Sequence, residues 1–428
     1  MNYYPVAYDT TYLTHGDGLY PLADITPLQD SARAAVITDE FLGQHWKKMV
    51  RQPIGNLKRP YVVPGVYEAL WDWDSFFIAC AMPEESLPYG QGSILNLLDG
   101  VRADGRPPKM ASPSGAYLYD AHPYPLHAQF CYLIAERMGD FDWVDAVWEK
   151  LLKVGDWYER ETVVRGGYHV WLGLHGNGID NNPAVYGRPP KSSAGVDLAC
   201  WHYRDLRAMA ALANKLNKPG AAEFGHRAET LGQLVRSRYW DQMDGFFYNI
   251  DCLTDQRETA LQEVTWETFL KFRNWASFFP LWARLATPEQ ATALRNRMMD
   301  ATEFLAPAGL RSHSARDPIY HNTATGNPSN WQGPVWGLST FLTAYCLNHY
   351  GYREDAVELA SRLLKVFAAD IETNVCLHEF YHGDTSQPLI NPGFLSWNLL
   401  ALGVMNNLQE NLDPTTGALL DENAKSKI

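Results

Sequence analysis

Residues 331–350, WQGPVWGLSTFLTAYCLNHY, and residues 353–371, REDAVELASRLLKVFAADI, form the pattern that decides the fold. The first segment contains no Asp, Glu, Lys or Arg, whereas the second carries a charged stripe beside its apolar residues. A helix that is apolar nearly all round must be buried, and an amphipathic helix covers a core with one face. Because only Gly351 and Tyr352 separate the two segments, we expect an antiparallel pair whose first helix lies inside.

The same arrangement recurs along the chain at helical spacing. In each pair the first helix is more aromatic and apolar, and the second carries more charge. The predicted pairs are Tyr124–Met138 with Phe141–Val164, Val196–Leu216 with Gly220–Tyr239, Trp266–Leu285 with Pro288–Glu303, and Trp331–Tyr350 with Arg353–Ile371. Further helices are predicted over Asp30–Arg51, Asp74–Met82, Gly92–Val101 and Pro392–Leu408.

Burying one helix of every pair requires an inner ring of helices wrapped by an outer ring. The sequence therefore predicts an all-α fold, an (α/α)6 barrel of six helical hairpins with long loops over one end. We expect a single catalytic domain over residues 1–428, since no linker or composition break is visible. A superhelical solenoid is the alternative, but long structured loops usually carry function and favour the barrel.

The long loops between pairs are expected over the N-termini of the inner helices, and they contain most of the unusual residues. They span Gln52–Trp73, Arg102–Pro123, Arg165–Gly195, Asp241–Thr265, Phe304–Asn330 and Glu372–Asn391. Short β segments over Phe246–Ile250 and Val375–His382 are predicted to brace them.

The composition narrows the class of partner. The net charge is −13 and Lys and Arg form no cluster, whereas proteins that bind nucleic acids or anionic membranes need a basic surface. We therefore expect a small-molecule substrate, no nucleic acid and no membrane, with a homo-oligomer left open. The 15 Trp, 23 Tyr and 17 Phe fill a core or pack against sugar rings.

Cysteine usage and the first residues indicate a compartment. The six cysteines are scattered singly, as expected of buried free thiols in a reducing environment. Residues 1–18, MNYYPVAYDTTYLTHGDG, lack the basic and apolar regions of a signal peptide. No apolar stretch approaches the ~18 residues that would span a membrane. A cytoplasmic location is expected.

Two carboxylates stand out in the loops. Asp180 lies among glycines and asparagines in GNGIDNNP, which is typical of a tight turn or of a side chain held on a fixed trajectory. Glu379 lies in an aromatic, strand-like run, where alternation separates it from His378 and Phe380. From spacing alone, a structural role is slightly favoured over a functional one for each.

Two aromatic segments lead into inner helices. In residues 68–77, EALWDWDSFF, two carboxylates alternate with two tryptophans, which suits either a helix cap or a sugar-binding platform. Residues 330–336, NWQGPVW, have a similar character. Phe278, Phe279 and Trp282 are predicted to belong to the core.

Absent motifs limit the chemistry further. The chain has no nucleotide-binding glycine loop, GxSxG or HExxH, so we expect no cofactor and no metal. The 13 histidines are dispersed, and His122, His127 and His202 are more often core or rim residues than metal ligands. Carboxylate chemistry in an aromatic cleft remains, and glycoside hydrolysis is its commonest form.

At this point the sequence resembles glycoside hydrolase family 63, particularly its short bacterial members that act on glycosylglycerates. Five segments in the family's order carry the resemblance, which extends over residues 62–405. They are residues 71–75 (WDWDS), 104–108 (DGRPP), 178–183 (GIDNNP), 331–336 (WQGPVW) and 379–381 (EFY). Two positions depart from the family pattern, because Asn182 replaces a serine and Gln332 replaces an arginine.

The resemblance implies an inverting hydrolase in which Asp180 is the general acid and Glu379 the general base. Inversion requires the two carboxyl groups to lie roughly 6.5–9.5 Å apart, so that a water molecule fits between them. Tyr381 is expected to orient Glu379. The residues predicted to bind the sugar are Trp71, Trp73, Asp74, Trp331, Gln332 and Trp336, with His122 and Tyr381 beside them.

The preferred substrate is 2-O-α-glucosyl- or mannosylglycerate, whose carboxylate would require a cation nearby. Lys109, Arg188, Lys191, Arg316 and His321 lie in suitable loops. The alternatives are an α-glucosidase for a neutral disaccharide or glucosylglycerol, a sugar isomerase or epimerase on the same barrel, and a non-catalytic sugar-binding module.

Overall fold

A computed structural model describes residues 23–114, 117–119, 121–173, 177–253, 268–326 and 328–420. The prediction made for residues 1–18 lies outside these ranges, as does Trp266 at the start of one predicted helix. Thirteen α-helices are described: α1 Ser31–His45, α2 Asp72–Ala81, α3 Leu87–Asp99, α4 His127–Met138, α5 Asp142–Asp145, α6 Trp148–Thr162, α7 Val196–Lys215, α8 Ala221–Arg238, α9 Phe279–Trp282, α10 Pro288–Met298, α11 Gly337–His349, α12 Arg353–Asn374 and α13 Val404–Glu410.

Short 3-10 helices extend or connect these elements at Trp46–Met49, Glu84–Ser86, Arg165–Gly167, Trp275–Phe278 and Ser396–Ala401. The strands are short and form small antiparallel sheets. They are β1 Val50–Arg51, β2 Tyr61–Val62, β3 Leu70–Trp71, β4 Met110–Ala111, β5 Tyr117–Leu118, β6 Ser193–Ala194, β7 Trp240–Asp241, β8 Phe246–Phe247, β9 Asn249–Asp251, β10 Phe269–Leu270, β11 Leu305–Ala306, β12 Gly309–Leu310, β13 Val335–Trp336 and β14 Phe380–Tyr381.

The inner segments pack side by side in a closed ring. The order around the ring is α2, α4, α7, residues 275–282, α11 and residues 396–401, which return to α2. The helix pairs α7–α8 and α11–α12 are in direct contact, as the sequence predicts, and α2 also packs against α3. All residues of α11 except His349 are buried, whereas α12 exposes its charged stripe.

The sixth pair combines parts of the chain that are far apart in sequence. Helix α1 packs against α12 and against residues 396–401, and the backbone N–H of Gly403 donates to Asp39 Oδ1 at 2.8 Å. Asp30 caps α1 by accepting hydrogen bonds from the N–H groups of Ala32 and Arg33. Helix α1 and residues 396–401 therefore close the six-hairpin barrel.

Several predicted helices are shorter or interrupted. Residues 275–282 form only a 3-10 turn and one α-turn, because Phe269–Leu270 pairs with β9 and Pro280 lies in the short helix that follows. Gly403, at φ 67°, separates residues 396–401 from α13. The predicted helix Phe141–Val164 is divided into α5 and α6.

Among the described residues, no helix is long and apolar enough to cross a membrane. The chain instead buries an aromatic core, at whose base lies Arg204 with no exposed surface. Its guanidinium donates to Gln129 Oε1 (3.0 Å) and to the carbonyls of Trp282 (3.1 Å) and Thr415 (2.6 Å), and lies 3.7 Å from the Trp282 ring centroid. Burial lowers its pKa to about 10. Arg204 therefore joins α7 to the segment after α13.

Replacing Arg204 by methionine should lower the free energy of unfolding by about 3 kcal/mol, because it leaves buried carbonyl acceptors without donors. Urea denaturation followed by circular dichroism measures this loss. The matched control is Arg207→Met on the same helix, where the half-buried guanidinium donates to Tyr203 Oη at 3.3 Å. Equal losses in the two variants would contradict the role assigned to Arg204.

Candidate active site

The loop that carries Asp180 is clamped to the segment that precedes α11. Asp180 Oδ2 accepts hydrogen bonds from the backbone N–H and the hydroxyl of Ser329, at 3.2 and 2.7 Å. Asn181 Oδ1 accepts from the Trp331 N–H at 2.7 Å, and Gln332 Nε2 donates to the Asn181 carbonyl at 2.7 Å. These bonds fix both the backbone and the carboxyl of Asp180.

The turn around Asp180 depends on Asn182 and Gly178. Asn182 Oδ1 accepts from the Ala184 N–H and from Asn274 Nδ2, both at 3.0 Å, so Asn182 forms the Asx turn. Gly178 has φ 57°, and a β-carbon there would lie 2.7 Å from the Trp73 ring. The loop therefore rests directly on Trp73, and a larger residue would displace it.

Glu379 lies just before β14, which pairs with β13 at the start of α11. Its side chain is 4% exposed. Its Oε2 accepts a hydrogen bond from Tyr67 Oη at 2.9 Å and another from Asn391 Nδ2. Burial raises the pKa of Glu379 to about 7, the two hydrogen bonds oppose this rise, and the charge of Asp180 adds to it.

Tyr67 lies where the carboxyl groups converge. Its pKa is raised well above the usual value by burial and by the charges of Glu379, Asp74 and Asp180. Asp180 and Glu379 lie in loops distant in sequence, yet their charges both raise the pKa of the Tyr67 phenol. The charge of Asp180 also raises the pKa of Glu379. The structure brings the two predicted catalytic residues into one electrostatic environment.

Asp72 and Asp74, in the first turn of α2, have different surroundings. Asp72 forms a buried ion pair with Lys109 Nζ at 3.0 Å and accepts the Tyr124 N–H at 2.9 Å, which makes it a structural residue. Asp74 accepts from Ser396 Oγ at 3.0 Å. Burial raises the pKa of Asp74 to about 7, and the charges of Asp72 and Glu379 contribute to the rise.

Trp331 and Trp336 lie in the core and do not offer an open platform. Their rings stack face to face at 3.9 Å with an angle of 5°. The ring of Trp275 is stacked on Trp331 at 5.6 Å, and that of Phe380 contacts Trp336 at 4.5 Å. Because both ring faces of each tryptophan are covered, the prediction that they stack on a sugar needs correction.

Tyr381 and His122 also have other partners than those predicted. The hydroxyl of Tyr381 donates to Asp370 Oδ2 at 2.7 Å, so Tyr67 and not Tyr381 contacts Glu379. His122 is 1% exposed, accepts the Leu172 N–H on Nδ1 at 3.2 Å and packs against Trp171. Both residues support the loops from within the core.

Of the remaining predicted residues, Trp73 and Gln332 contact the Asp180 loop. Trp73 stacks on Tyr124 at 5.2 Å and lies beneath the Asp180 loop, while Trp71 is half-buried in β3. Gln332, also half-buried, contacts His321 Nε2 through its Oε1 at 3.1 Å. Gln332 thereby braces the Asp180 loop with a neutral amide.

Sequence reasoning did not identify three partners of the carboxyl groups. Tyr67 stands four residues before Trp71, Ser329 immediately before the NWQGPVW segment, and Asn391 at the end of the loop that carries Glu379. The sequence indicated these three residues only through their positions beside recognised motifs. Which of these polar side chains reaches a carboxylate depends on tertiary contacts.

The sequence profile of the mannosylglycerate hydrolase MGH1-like glycoside hydrolase domain matches residues 67–397. The chain belongs to this family. It is therefore a glycoside hydrolase, and the resemblance to family 63 is confirmed. The matched range contains both Asp180 and Glu379.

Solved structures with the same fold include two enzymes. The family 63 mannosylglycerate hydrolase from Thermus thermophilus in complex with glucose has a TM-score of 0.66 at 20% identity, covering 87% of this hydrolase and 100% of that chain. The neutral trehalase from Saccharomyces cerevisiae has a TM-score of 0.64 at 17% identity, covering 91% and 85%. Both are (α/α)6 barrels, so the predicted fold is confirmed.

A curated relative, the probable trehalase of Eremothecium gossypii, is 29% identical over 139 residues, which is 32% of this chain and 17% of the relative. The aligned parts span less than half the length of the curated relatives that the hydrolase matches.

The environment of Glu379 predicts a pH-dependent cost to stability. Because its pKa is raised from 4.5 to about 7, the folded state binds the proton more tightly than the unfolded state, and this advantage is lost as pH rises through 7. Between pH 5 and pH 8, Glu379→Gln should gain on the order of 1–3 kcal/mol of unfolding free energy relative to wild type.

Denaturation at the two pH values measures this gain, and comparing them removes any pH-independent effect of the amide. The control is Glu410→Gln at an exposed position near the end of α13, which should show no pH-dependent difference. A flat difference for Glu379→Gln would show that its carboxyl is better solvated than its burial implies.

Proposed function

We propose that this hydrolase cleaves a small α-linked glycoside with inversion of configuration, with Asp180 as general acid and Glu379 as general base. The preferred substrate is 2-O-α-glucosyl- or mannosylglycerate. The observation that carries the proposal is that Tyr67 donates a hydrogen bond to Glu379 while the charge of Asp180 raises the pKa values of both Tyr67 and Glu379, so that the two carboxyl groups belong to one site.

The proposed reaction is a single displacement. Protonated Asp180 donates its proton to the glycosidic oxygen as the bond from the anomeric carbon breaks. On the opposite face, ionised Glu379 removes a proton from the water that forms the new bond. A pKa of about 7 suits a base that works near neutral pH, because both of its protonation states are accessible there.

The fixed geometry of the two carboxyl groups suits this division of work. Ser329 holds one oxygen of Asp180 through two donors, whereas Tyr67 and Asn391 hold one oxygen of Glu379. Because the two sets share no residue, each carboxyl keeps its orientation independently. A separation of roughly 6.5–9.5 Å remains our prediction for a site that admits the attacking water.

An acidic aglycone would need a cation that is not already paired. Four of the five candidates have partners: Lys109 with Asp72 (3.0 Å), Arg188 with Asp251 (2.9 Å), Arg316 with Asp300 (3.1 Å) and His321 with Gln332 (3.1 Å). Within the described ranges, the exposed side chain of Lys191 makes no ion pair. Lys191 is therefore our candidate for binding a glycerate carboxylate.

A neutral disaccharide is the second candidate substrate. Its support is the similarity to a neutral trehalase structure and to a probable trehalase. The pairing of four candidate cations with protein partners is consistent with a neutral aglycone as well.

The test is a panel of α-linked glycosides with and without a carboxylate, followed by proton NMR of the released sugar. We expect the β-anomer to appear first and glycosylglycerates to be cleaved faster than neutral disaccharides. Asp180→Ala and Glu379→Ala should each lower kcat/KM at least about 100-fold, because each removes a proton-transfer group.

Glu410→Gln serves again as the control that should retain full activity. Initial release of the α-anomer would contradict single displacement. An isomerised sugar, or activity that survives in Asp180→Asn, would favour the isomerase alternative. Faster cleavage of neutral disaccharides would overturn the glycerate assignment and leave the hydrolase assignment intact.

Tyr67→Phe should shift the acidic limb of the kcat/KM profile upward by about half to one pH unit. The phenol donates to Glu379, so its loss removes a bond that lowers the pKa of that base. Tyr381→Phe is the matched control, since its hydroxyl contacts Asp370. Its acidic limb should stay in place, and equal shifts in both variants would contradict the assignment of Tyr67.

A further inference from the structure

A second group of polar residues lies in the wall formed by α6, α7 and α8. Glu159, His169 and His202 each offer one ligand atom, and these atoms lie within 4.8 Å of one another. Both histidines are almost fully buried, at 3% and 2% exposure. The proposed reaction at Asp180 and Glu379 uses none of the three.

The hydrogen bonds around His169 fix its tautomer. The hydroxyl of Thr162 donates its only hydrogen to the Tyr158 carbonyl at 2.7 Å. Thr162 Oγ1 also lies 2.8 Å from His169 Nδ1, so Nδ1 must carry the hydrogen and donate it. The lone pair of the neutral ring is therefore on Nε2. A ligand histidine usually has this arrangement, with its other nitrogen bonded to an oxygen.

His202 has no partner of this kind among the residues that the structure describes. There, neither of its ring nitrogens has a hydrogen-bond partner, although both are buried. Burial lowers the pKa of His202 to about 3, so the ring is neutral and one nitrogen presents an unused lone pair. A buried polar atom without a partner costs about 1–3 kcal/mol. The ring centroids of His202 and His169 are only 4.0 Å apart.

Charge and space around the cluster favour a cation. A cavity of about 130 Å³ is lined by His202 and by three acidic side chains, Asp156, Asp205 and Glu223. Arg227, also on its wall, bonds one oxygen of the Glu159 carboxylate at 2.5 Å. The cavity is large enough for water molecules that would complete a coordination shell.

We propose that Glu159, His169 and His202 bind one divalent transition-metal ion, for which Zn²⁺ is the best match. Two neutral imidazoles and one carboxylate are ligands that zinc accepts, and water would supply the fourth position. The ion would join α6 to α7 and stabilise the barrel wall, outside the proposed catalytic site.

Asp370, Cys376 and His378 form another cluster of potential ligands, but Asp370 and His378 are already bonded to each other. Asp370 Oδ2 lies 2.7 Å from His378 Nδ1 and accepts the Tyr381 hydroxyl. Burial raises the pKa of the Cys376 thiol to about 11, which disfavours the thiolate. We therefore expect no zinc at this cluster.

The experiment is calorimetric titration of zinc chloride into the full chain after removal of metals with a chelator. We expect one ion per chain and a rise in the melting temperature. Glu159→Gln and His202→Gln should each weaken binding about tenfold or more. Circular dichroism of each variant verifies folding, and the half-buried position of Glu159 makes its variant the safer of the two.

Two controls keep the result specific. His127 is also buried with both ring nitrogens unpartnered, but it lies outside the cluster, so His127→Gln should bind zinc like wild type. Cys376→Ser should bind equally well. Absence of zinc binding by the wild type would overturn the proposal. Loss of binding in Cys376→Ser, with retention in Glu159→Gln, would overturn it as well.

Discussion

The inner segments of the barrel begin at the same end, and this constraint gathers acidic side chains into one place. Asp72 and Asp74 lie in the first turn of α2, and Asp197 lies in the first turn of α7. Helix N-termini present unpaired N–H groups and a partial positive charge, which favour carboxyl groups nearby. Burial opposes ionisation and raises the pKa values of Asp74 and Asp197 to about 7. The result is a cluster of buried carboxyl groups at this end of the barrel.

Hydrogen bonds of neutral side-chain amides, more than ion pairs, hold the loops at this end of the barrel in place. Asn181, Asn182 and Gln332 connect the Asp180 loop to two inner segments through hydrogen bonds of 2.7 to 3.0 Å. Family 63 usually has arginine where this chain has Gln332. A guanidinium there would favour the ionised form of any carboxyl nearby, whereas an amide braces the loop without adding charge. The substitution is thus compatible with the proposed role of Asp180 as a protonated acid.

Periodicity predicted the helix pairs and the ring, because an apolar helix such as α11 has to be covered on all sides. It could not predict that α1 closes the ring with residues 396–401, since their contact depends on the whole arrangement. Motif resemblance selected Asp180 and Glu379, but it assigned Tyr381 to Glu379, which the structure shows bonded to Tyr67. Residue type does not reveal which face of a tryptophan is covered, so Trp331 and Trp336 were predicted as platforms. A single domain over residues 1–428 stays a prediction.

The pairing of α1 with residues 396–401 has a consequence for biosynthesis. The ribosome synthesises α1 early, whereas residues 396–401 follow only after α2 to α12. Until then the apolar interior between α2 and α11 lacks its last wall, and the nascent polypeptide exposes surface that chaperones recognise. Loop closure over so many residues also slows the final step. A circular permutant with its termini in another surface loop would have α1 and residues 396–401 close together in sequence. The ribosome would then synthesise them one after the other.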